Sequence, residues 1–198
     1  MFTTDIRSDL YRMSGKTDLT SFINCILRCP GFRVLFYHRV LVQKKGIIRL
    51  GVRMLNRRLQ KKMHVEIPTK LKIGKGALLL HPYGIVINKD AVIGDNFTVL
   101  KGATIGSDLT KNVGVPHIGN NVYVGLNSTV VGNIKIGDDV MIAANTFVNF
   151  DVPDGSLVIG SPGIVHKGNK TLKEYTVNSI EFMECYEKPN VNTASRGE

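Results

Sequence analysis

His81, in the segment LLLHPYGIV, is a side chain whose type suits acid–base chemistry. An imidazole can take a proton from a hydroxyl group near neutral pH, and a positioned histidine typically accelerates such a step ~10²–10⁴-fold. The alternative interpretation is a surface histidine on a turn. His117, in VPHIG, is a second candidate, and a structural histidine at a turn explains it equally well.

The three cysteines are Cys25, Cys29 and Cys185. The spacing of Cys25 and Cys29 would suit a metal pair, but no second Cys or His pair with zinc spacing follows. An odd number of cysteines also argues against a disulfide framework and fits a reducing compartment. We therefore expect buried or idle thiols and no required metal.

Aliphatic residues recur at a period of six along the second half of the chain. They are Ile87, Ile93, Val99, Ile105, Ile118, Val124, Val130, Ile136, Ile142 and Val148. This period fits neither an α-helix nor a coiled coil, but it fits a short strand plus a turn, with three such units closing one triangular coil. A β-sandwich, the alternative, should show period-2 alternation and hairpin signals. The repeat predicts an all-β solenoid with tight corners at Gly and Asn residues.

The period is interrupted twice. Leu79 to Ile87 is two residues longer than one repeat, so two extra residues lie within 80–86 and would let His81 project from the wall. Ile105 to Ile118 is one residue longer than two repeats, and we expect one or more turns to be replaced there by a protruding loop, residues 107–116. Insertions in solenoids often lie on the binding face.

Residues 1–62 form a basic α-helical segment. They contain 14 Lys or Arg and 3 Asp or Glu, a net charge of +11. Apolar spacing predicts helices over 20–28, 32–43 and 47–62. For the last helix we favour a packed apolar face and a solvated basic face, and the alternative is peripheral contact with an anionic membrane leaflet. Without a membrane span or a signal peptide, we expect a cytoplasmic protein, with the inner face of the membrane as that alternative location.

The predicted domains are the basic segment 1–62, the solenoid 63–168 and a C-terminal part 169–198. The turn-rich segment FDVPDGSLVIGSPGIVHKG closes the solenoid. We expect a helix within 170–187 that covers the open end of the prism. Residues 188–198 are polar, and we expect them to be disordered.

Residues 64–168 resemble the hexapeptide-repeat acyltransferases, and among them the serine acetyltransferase group. The resemblance is carried by KIGKGALLLHPYGIVINKDAVIGDNFTVLKGATIG, HIGNNVYVGLNSTVVGNIKIGDDVMIAANT and VPDGSLVIGSPGIV. DIRSDLYRMSG and PGFRVLFYHRV resemble the helical part of the group. The sequence PHIG looks closest to O-acetyltransferases of the colanic-acid or capsular-polysaccharide type. The resemblance implies a left-handed parallel β-helix, a homotrimer with active sites in clefts between prisms, and acetyl-CoA as the donor.

The resemblance also implies roles for individual residues. His81 matches the catalytic base, and Glu66, seven positions before Ile73, stands where the family has an aspartate. A carboxylate of this kind would orient the base, although a solvated glutamate is the alternative. His117 and Tyr83 are candidate acceptor-binding residues.

The donor side of the implied site consists mostly of small residues. The backbone N–H groups of Gly106 and Gly125 are candidates for stabilising the oxyanion. Four further residues are candidates for contacts with CoA, with a phosphate contact for the last: Ala144, Gly160, Ser161 and Lys167.

The acceptor is inferred from charges that this chain lacks. Leu80 replaces the acidic residue that precedes the catalytic histidine in the serine enzymes, and Gly114-Val115 replaces their Arg-His pair. A free amino acid needs charged partners when it is desolvated, whereas a sugar hydroxyl does not. We therefore expect a sugar of a surface polysaccharide, either a small molecule or a lipid-linked precursor, as the acceptor.

Two other hypotheses stay open. One is a serine O-acetyltransferase of cysteine biosynthesis with a shortened N-terminal part. The other is a non-catalytic hexapeptide scaffold. We do not expect nucleic-acid binding, because no recognised motif supports it.

Overall fold

The computed structural model describes residues 3–43, 45–168, 172–180 and 183. Helices α1 (Thr4–Ser14), α2 (Leu19–Arg28), α3 (Pro30–Gln43) and α4 (Gly46–Met63) come first. The strands that follow are β1 (Lys72–Ile73), β2 (Leu78–Leu80), β3 (Val86–Ile87), β4 (Val92–Ile93), β5 (Thr98–Leu100), β6 (Thr104–Gly106), β7 (His117–Ile118), β8 (Tyr123–Val124), β9 (Thr129–Val131), β10 (Lys135–Ile136), β11 (Met141–Ile142), β12 (Phe147–Val148), β13 (Ser156–Ile159) and β14 (Ile164–Lys167). A short helix, α5 (Leu172–Tyr175), follows them.

The strands form three sheets that the chain visits in turn. Their orders are β1-β4-β7-β10, β14-β13-β11-β8-β5-β2 and β12-β9-β6-β3. Neighbouring strands run parallel, except that β14 turns back against β13. Three successive strands therefore make one coil. The predicted hexapeptide-repeat architecture of mostly parallel strands behind an N-terminal helical segment is confirmed.

The period of six places one aliphatic side chain from each strand in the interior. The aliphatic residues of the repeat are all buried, and they form one continuous core cluster. Removing apolar surface from water stabilises the fold by roughly 25 cal/mol per Å². The backbone of each coil bonds to the next coil, as when the Gly94 amide donates to the Ile118 carbonyl at 2.9 Å.

The register between coils shows how the two interruptions are built. Tyr123 lies beside Met141, so a regular coil consists of three uninterrupted repeats. Leu78 lies beside Thr98, so this coil has two residues more than a regular coil, and these are the extra residues near His81. Thr98 lies beside Tyr123, so this coil has seven residues more than a regular coil. It contains the loop 107–116. The expectation that the loop replaces turns is wrong, because the additional residues are inserted at one corner and each sheet keeps its strand from this coil.

The N-terminal helices close the first coil. Val34, Leu35 and Met63 belong to the same core cluster as the aliphatic repeat. A Cβ atom at Gly31 would clash with the Leu79 carbonyl, so the start of α3 packs directly on β2. Helix α1, which the apolar spacing did not predict, packs against α3.

A buried ion pair fastens α1 and α3 to the first coil. The Arg39 Nε atom donates to Asp9 Oδ2 at 2.9 Å, and both side chains are almost fully buried. Asp9 Oδ1 accepts the Ala77 amide at 2.9 Å, and Arg39 also donates to the carbonyls of Ile73 and Gly74. Each charged group thus has several partners, which offsets the cost of burial.

The C-terminal segment covers a side of the coils rather than their end. Leu172 packs with Leu100, Tyr123 and Met141 on the outer face of the six-stranded sheet. Burial, together with the nearby Tyr175 ring, raises the pKa of Tyr123. The predicted cover over the open end is therefore wrong for the part that the structure describes. The expected disordered tail, 188–198, lies outside the described residues.

Helix α4 differs from the packed helix that we favoured from the sequence. Its buried residues are Asn56 and Met63, whereas large apolar side chains of its first half are exposed. Within the described residues, no single helix has the length and apolarity of a membrane span, and only α2 with α3, bent by 108°, passes that test as a pair.

The described cysteines lie in the helical part. Cys25 is buried with Phe32 and carries a free thiol, as does the half-buried Cys29. Burial, with a smaller contribution from Cys29, raises the pKa of the Cys25 thiol to about 11. Within the described residues, no group of three or more His, Cys, Asp or Glu side chains could hold a metal ion.

We predict that Gly94→Ala destabilises the protein. The added Cβ atom would lie 2.6 Å from the Gly119 carbonyl oxygen of the next coil, and overpacking of this kind costs about 1–3 kcal/mol. The matched control is Gly106→Ala, whose Cβ atom meets Val131 at 3.5 Å, an ordinary contact. Urea unfolding followed by circular dichroism measures both, and equal losses would contradict the close coil stacking.

We predict that the free energy of unfolding falls as pH decreases below the usual histidine range. Burial, with help from the Arg39 charge, lowers the pKa of His38 from 6.5 to about 4. Below pH 6.5 the His38 side chain is therefore protonated in the unfolded chain but remains neutral in the native state. The free energy of unfolding falls by about 3 kcal/mol by pH 4.

The control for this prediction is His38→Gln, which keeps the exposed histidines. Urea unfolding at a series of pH values should give a markedly smaller pH dependence for the variant. The same dependence in both proteins would assign the effect to other groups.

Candidate functional site

His81 lies in the widened turn after β2. It is exposed and adopts a left-handed backbone conformation with φ 50°. The Tyr83 amide donates to the His81 carbonyl at 2.7 Å, and the Gly102 amide of the next coil donates to the Tyr83 carbonyl at 2.8 Å. Below the turn, the Gly84 amide donates to the Met63 carbonyl at 3.0 Å. The turn is thus held from both sides while the imidazole faces solvent.

Glu66 lies beside the end of this turn. It pairs in parallel with Val86, its amide donates to the Ile85 carbonyl at 2.8 Å, and its carbonyl accepts the Ile87 amide at 2.9 Å. The backbone of Glu66 is therefore one strand spacing, about 4.8 Å, from the strand that follows the His81 turn, and the residue is exposed. Tyr83, 49% exposed, belongs to the same turn. Candidate base, carboxylate and acceptor residue share one corner.

Most of the donor-side residues lie along the same corner line, which we call the His81 edge. It consists of the turns that follow β2, β5, β8, β11 and β13. Gly125, Ala144, Gly160 and Ser161 lie in the last three of these turns, and Ala144 and Ser161 are exposed. The His81 edge spans four coil spacings, about 19 Å. Its last turns carry small exposed residues and its first turn carries the imidazole, while Lys101 and Leu126 are exposed in the turns between them.

The two candidate oxyanion donors lie at different corners of the coils. The Gly125 amide donates to the Ile142 carbonyl at 2.8 Å, and a Cβ atom at Gly125 would lie 2.6 Å from the Ala144 nitrogen. Gly125 is therefore a packing position whose N–H group is already bonded. Gly106 ends β6 at a different corner and pairs there with Val131.

His117 lies at that different corner, which we call the loop edge, where Gly106, the loop 107–116 and β7 follow one another. Its side chain is exposed in an open groove of about 530 Å³. The groove also contains Lys135, beside His117 in the sheet, and Asp151, which accepts the Lys135 amide at 2.8 Å. The structure does not bring His117 and His81 together within one chain.

The loop 107–116 is tied down at its base. Asp108 accepts the Thr110 amide at 2.7 Å, and this bond is the main reason why the pKa of Asp108 is lowered. The Asn133 amide donates to the Asn112 carbonyl at 3.0 Å, which fixes the loop to the following coil. Leu109 and Val113 remain exposed at its surface.

Lys167 is placed away from the His81 edge. It lies beside Ser156 at the start of β13, whereas Gly160 and Ser161 follow the end of that strand. The length of the strand therefore separates Lys167 from the other donor-side residues.

Asparagines also contribute to the His81 edge, and one of them, Asn127, was not singled out from the sequence. Asn127 and Asn145 adopt left-handed conformations on the His81 edge, and their amides donate to the coil below. The signal was available, since each follows a core aliphatic by three positions. Leu80 turns out to pack against the cluster formed by Leu100, Tyr123 and Met141.

Comparisons with known proteins identify relatives of the chain. A family model described as bacterial transferase hexapeptide (six repeats) matches residues 116–149. Serine acetyltransferase 4 of Arabidopsis thaliana is 38% identical over 72% of this chain, and the chain spans 41% of that relative. A soybean serine acetyltransferase complexed with serine has a TM-score of 0.68 at 32% identity, covering 82% of this chain and 68% of that one.

A further structure, serine acetyltransferase of Brucella abortus strain S19 in complex with coenzyme A, has a TM-score of 0.67 at 26% identity and covers 83% of this chain and 67% of that one. The relatives are named serine acetyltransferases, so the expected closeness to colanic-acid-type enzymes is wrong. The sugar acceptor inferred from the missing charges is contradicted by the same findings.

We predict that the loop can be removed without loss of the fold. Deleting residues 108–114 restores the regular coil spacing, and surface loops contribute little to stability. The circular dichroism spectrum and the thermal midpoint should stay close to those of the full chain. The control is a deletion of equal length, residues 126–132, which removes β9 and should prevent folding. Unfolding of both proteins would contradict the assignment of a corner insertion.

Proposed function

This chain belongs to the hexapeptide-repeat acyltransferases of the serine acetyltransferase type, and we propose that it transfers the acetyl group of acetyl-CoA to the hydroxyl of L-serine. The observation that carries the proposal is the His81 edge, which has an exposed imidazole at one end and small exposed residues at the other. The relatives bound to serine and to coenzyme A support the two substrates. For the coils we propose the left-handed parallel β-helix of this family.

In the proposed reaction His81 is the general base. It takes the proton of the serine hydroxyl as the oxygen attacks the thioester carbonyl of acetyl-CoA. The tetrahedral intermediate then collapses, the carbon–sulfur bond breaks, and the CoA thiolate receives the proton from the imidazolium. The products are O-acetylserine and CoA. Glu66 is a positioning residue that orients the imidazole and stabilises its charged form.

Residues along the His81 edge fit an extended acyl-CoA. Ala144, Gly160 and Ser161 put small side chains on the last two turns of the edge, over which the pantetheine arm can run toward His81 past the exposed Leu126. Gly125 contributes the tight coil packing that keeps this track straight. We propose Gly106 as the remaining oxyanion donor, and Lys167 as a phosphate contact at the far margin of the sheet.

The proposed site is completed by a second copy in a homotrimer. His81 and His117 lie at different corners and two coils apart, so one chain leaves them on the order of 10 Å or more from each other. A neighbouring copy that places its loop edge against the His81 edge would bring His117 to the acceptor. Lys111 of the same loop would then supply a charge for the serine carboxylate.

Leu80 and Gly114-Val115 leave this chain with few fixed charges for serine. Because a desolvated ammonium and carboxylate need charged partners, we expect weak serine binding and a high KM. Stabilisation of the transition state depends instead on His81, which the substitutions at Leu80 and Gly114-Val115 do not remove.

We predict that the purified protein releases CoA from acetyl-CoA in the presence of L-serine. His81→Gln should lower kcat about 10²–10⁴-fold, the usual contribution of a general base. Glu66→Gln should cause a smaller loss, because a neutral amide can still accept a hydrogen bond from the imidazole but does not stabilise its charge.

The matched control is His166→Gln, an exposed histidine on β14 away from the His81 edge. Thiol release should be followed with a colour reagent, and O-acetylserine should be identified by mass spectrometry. Absence of serine-dependent release would overturn the function. A wild-type rate in His81→Gln would remove the proposed base but keep the reaction.

A further inference from the structure

Helix α4 presents an apolar surface to solvent. Ile47 is 86% exposed, and four more large side chains of the helix are more than half exposed: Ile48, Leu50, Met54 and Leu55. The helix touches the body mainly through its second half, where Asn56 and Met63 are buried. Exposed apolar residues at this density on one helix indicate a contact surface rather than ordinary scatter.

The same helix carries six cations and no acidic residue. They are Arg49, Arg53, Arg57, Arg58, Lys61 and Lys62. In the described part of the chain none of the six is in an ion pair, whereas Arg39 of α3 pairs with Asp9 and Lys89 pairs with Asp90. The charge of α4 is therefore available to an external partner.

Helical geometry orders these residues along the helix. Ile47, Leu50 and Met54 are spaced as i, i+3 and i+7, which places them on one face of the first half. A helix rotates by about 100° per residue. Lys61 therefore continues the same face in the second half, and Arg57 and Arg58 lie on either side of it. The outward face of α4 is thus apolar in the exposed first half of the helix and basic in the second half, which packs against the rest of the protein.

Three kinds of partner can be weighed against this pattern. A second copy of α4 would bring two sets of six cations together, which like-charge repulsion opposes. A nucleic acid would neutralise the cations but leave the apolar side chains in water. The surface of an anionic lipid bilayer satisfies both, since its headgroups attract cations and its acyl boundary accepts apolar side chains.

We propose that α4 binds the surface of an anionic lipid bilayer. Ile47, Leu50 and Met54 enter the boundary between headgroups and acyl chains, while the arginines and lysines lie among the headgroups. Each cation held near such a surface raises partitioning about fivefold. The helix is about 27 Å long and ends at Met63, whose carbonyl holds the His81 turn through Gly84. Binding would therefore fix the orientation of the His81 edge relative to the lipid surface.

Flotation of the full chain with lipid vesicles tests this proposal. We expect binding to vesicles of phosphatidylcholine mixed with phosphatidylglycerol, little binding to phosphatidylcholine alone, and release at high salt. The charge variant is Arg53→Gln with Arg57→Gln and Arg58→Gln, and the apolar variant is Ile47→Gln with Leu50→Gln and Met54→Gln. Each should lower partitioning about tenfold or more.

Matched controls separate α4 from charge and apolarity in general. Lys70→Gln with Lys72→Gln and Lys135→Gln removes three exposed cations elsewhere. Leu19→Gln with Ile23→Gln and Leu27→Gln removes the exposed apolar stripe of α2. Both control variants should bind vesicles as the unaltered protein does, and circular dichroism should show that all variants are folded.

Four outcomes would overturn the proposal: no binding to anionic vesicles, equal binding to neutral vesicles, equal losses in the control variants, or self-association through α4 without vesicle binding. Serine-dependent CoA release, measured in parallel, is independent of these outcomes. Absence of lipid binding in a protein that still releases CoA with serine would contradict the membrane-binding role of α4 but not the proposed reaction.

Discussion

Each coil of this protein is held by its neighbours, because the strand hydrogen bonds run from one coil to the next and not within a coil. The stacking must therefore stay in register, and Gly94 and Gly125 show how little space it leaves between coils. Register also aligns the corners. Residues far apart in sequence, such as His81 and Ser161, come to share one edge solely because their coils are stacked.

A stack of this kind has two open ends, each with unsatisfied backbone groups and exposed apolar interior. At the first end α3 and α4 cover the interior, and the buried pair of Asp9 and Arg39 ties the helices to the coil. At the last end β14 reverses direction against β13. The basic helical segment is thus part of the architecture of the stacked strands as well as a carrier of charge.

The sequence was sufficient for the repeat, the widened turn at His81 and the helices α2 to α4, because these depend on local periodicity, but it did not reveal α1. It was insufficient for the loop, since the long interval between Ile105 and Ile118 does not show whether a strand has been lost or a corner lengthened. The exposure of Ile47 and Leu50 was also hidden, because an apolar stripe looks the same whether or not something covers it.

The acceptor was mispredicted for a related reason. Leu80 and Gly114-Val115 show which charges are missing from particular positions, but they do not show which charges the proposed second copy would bring to the site. The grouping of Glu66 and Tyr83 with His81 needed the register between coils. The separation of Lys167 from Gly160 and Ser161 results from the reversal of the chain at β14, which the six-residue repeat does not predict.

The nearly constant spacing between stacked strands also shapes how the molecule fluctuates. Parallel partners in the ladder are separated by one coil of chain wherever they lie, so forming one more coil closes a loop of similar size and similar entropic cost. Partial opening should therefore proceed coil by coil from the less protected end. Ala144 and Gly160 lie near that end, and His81 lies beside the helical cap. Thermal fraying would loosen the donor track first and leave the base in place.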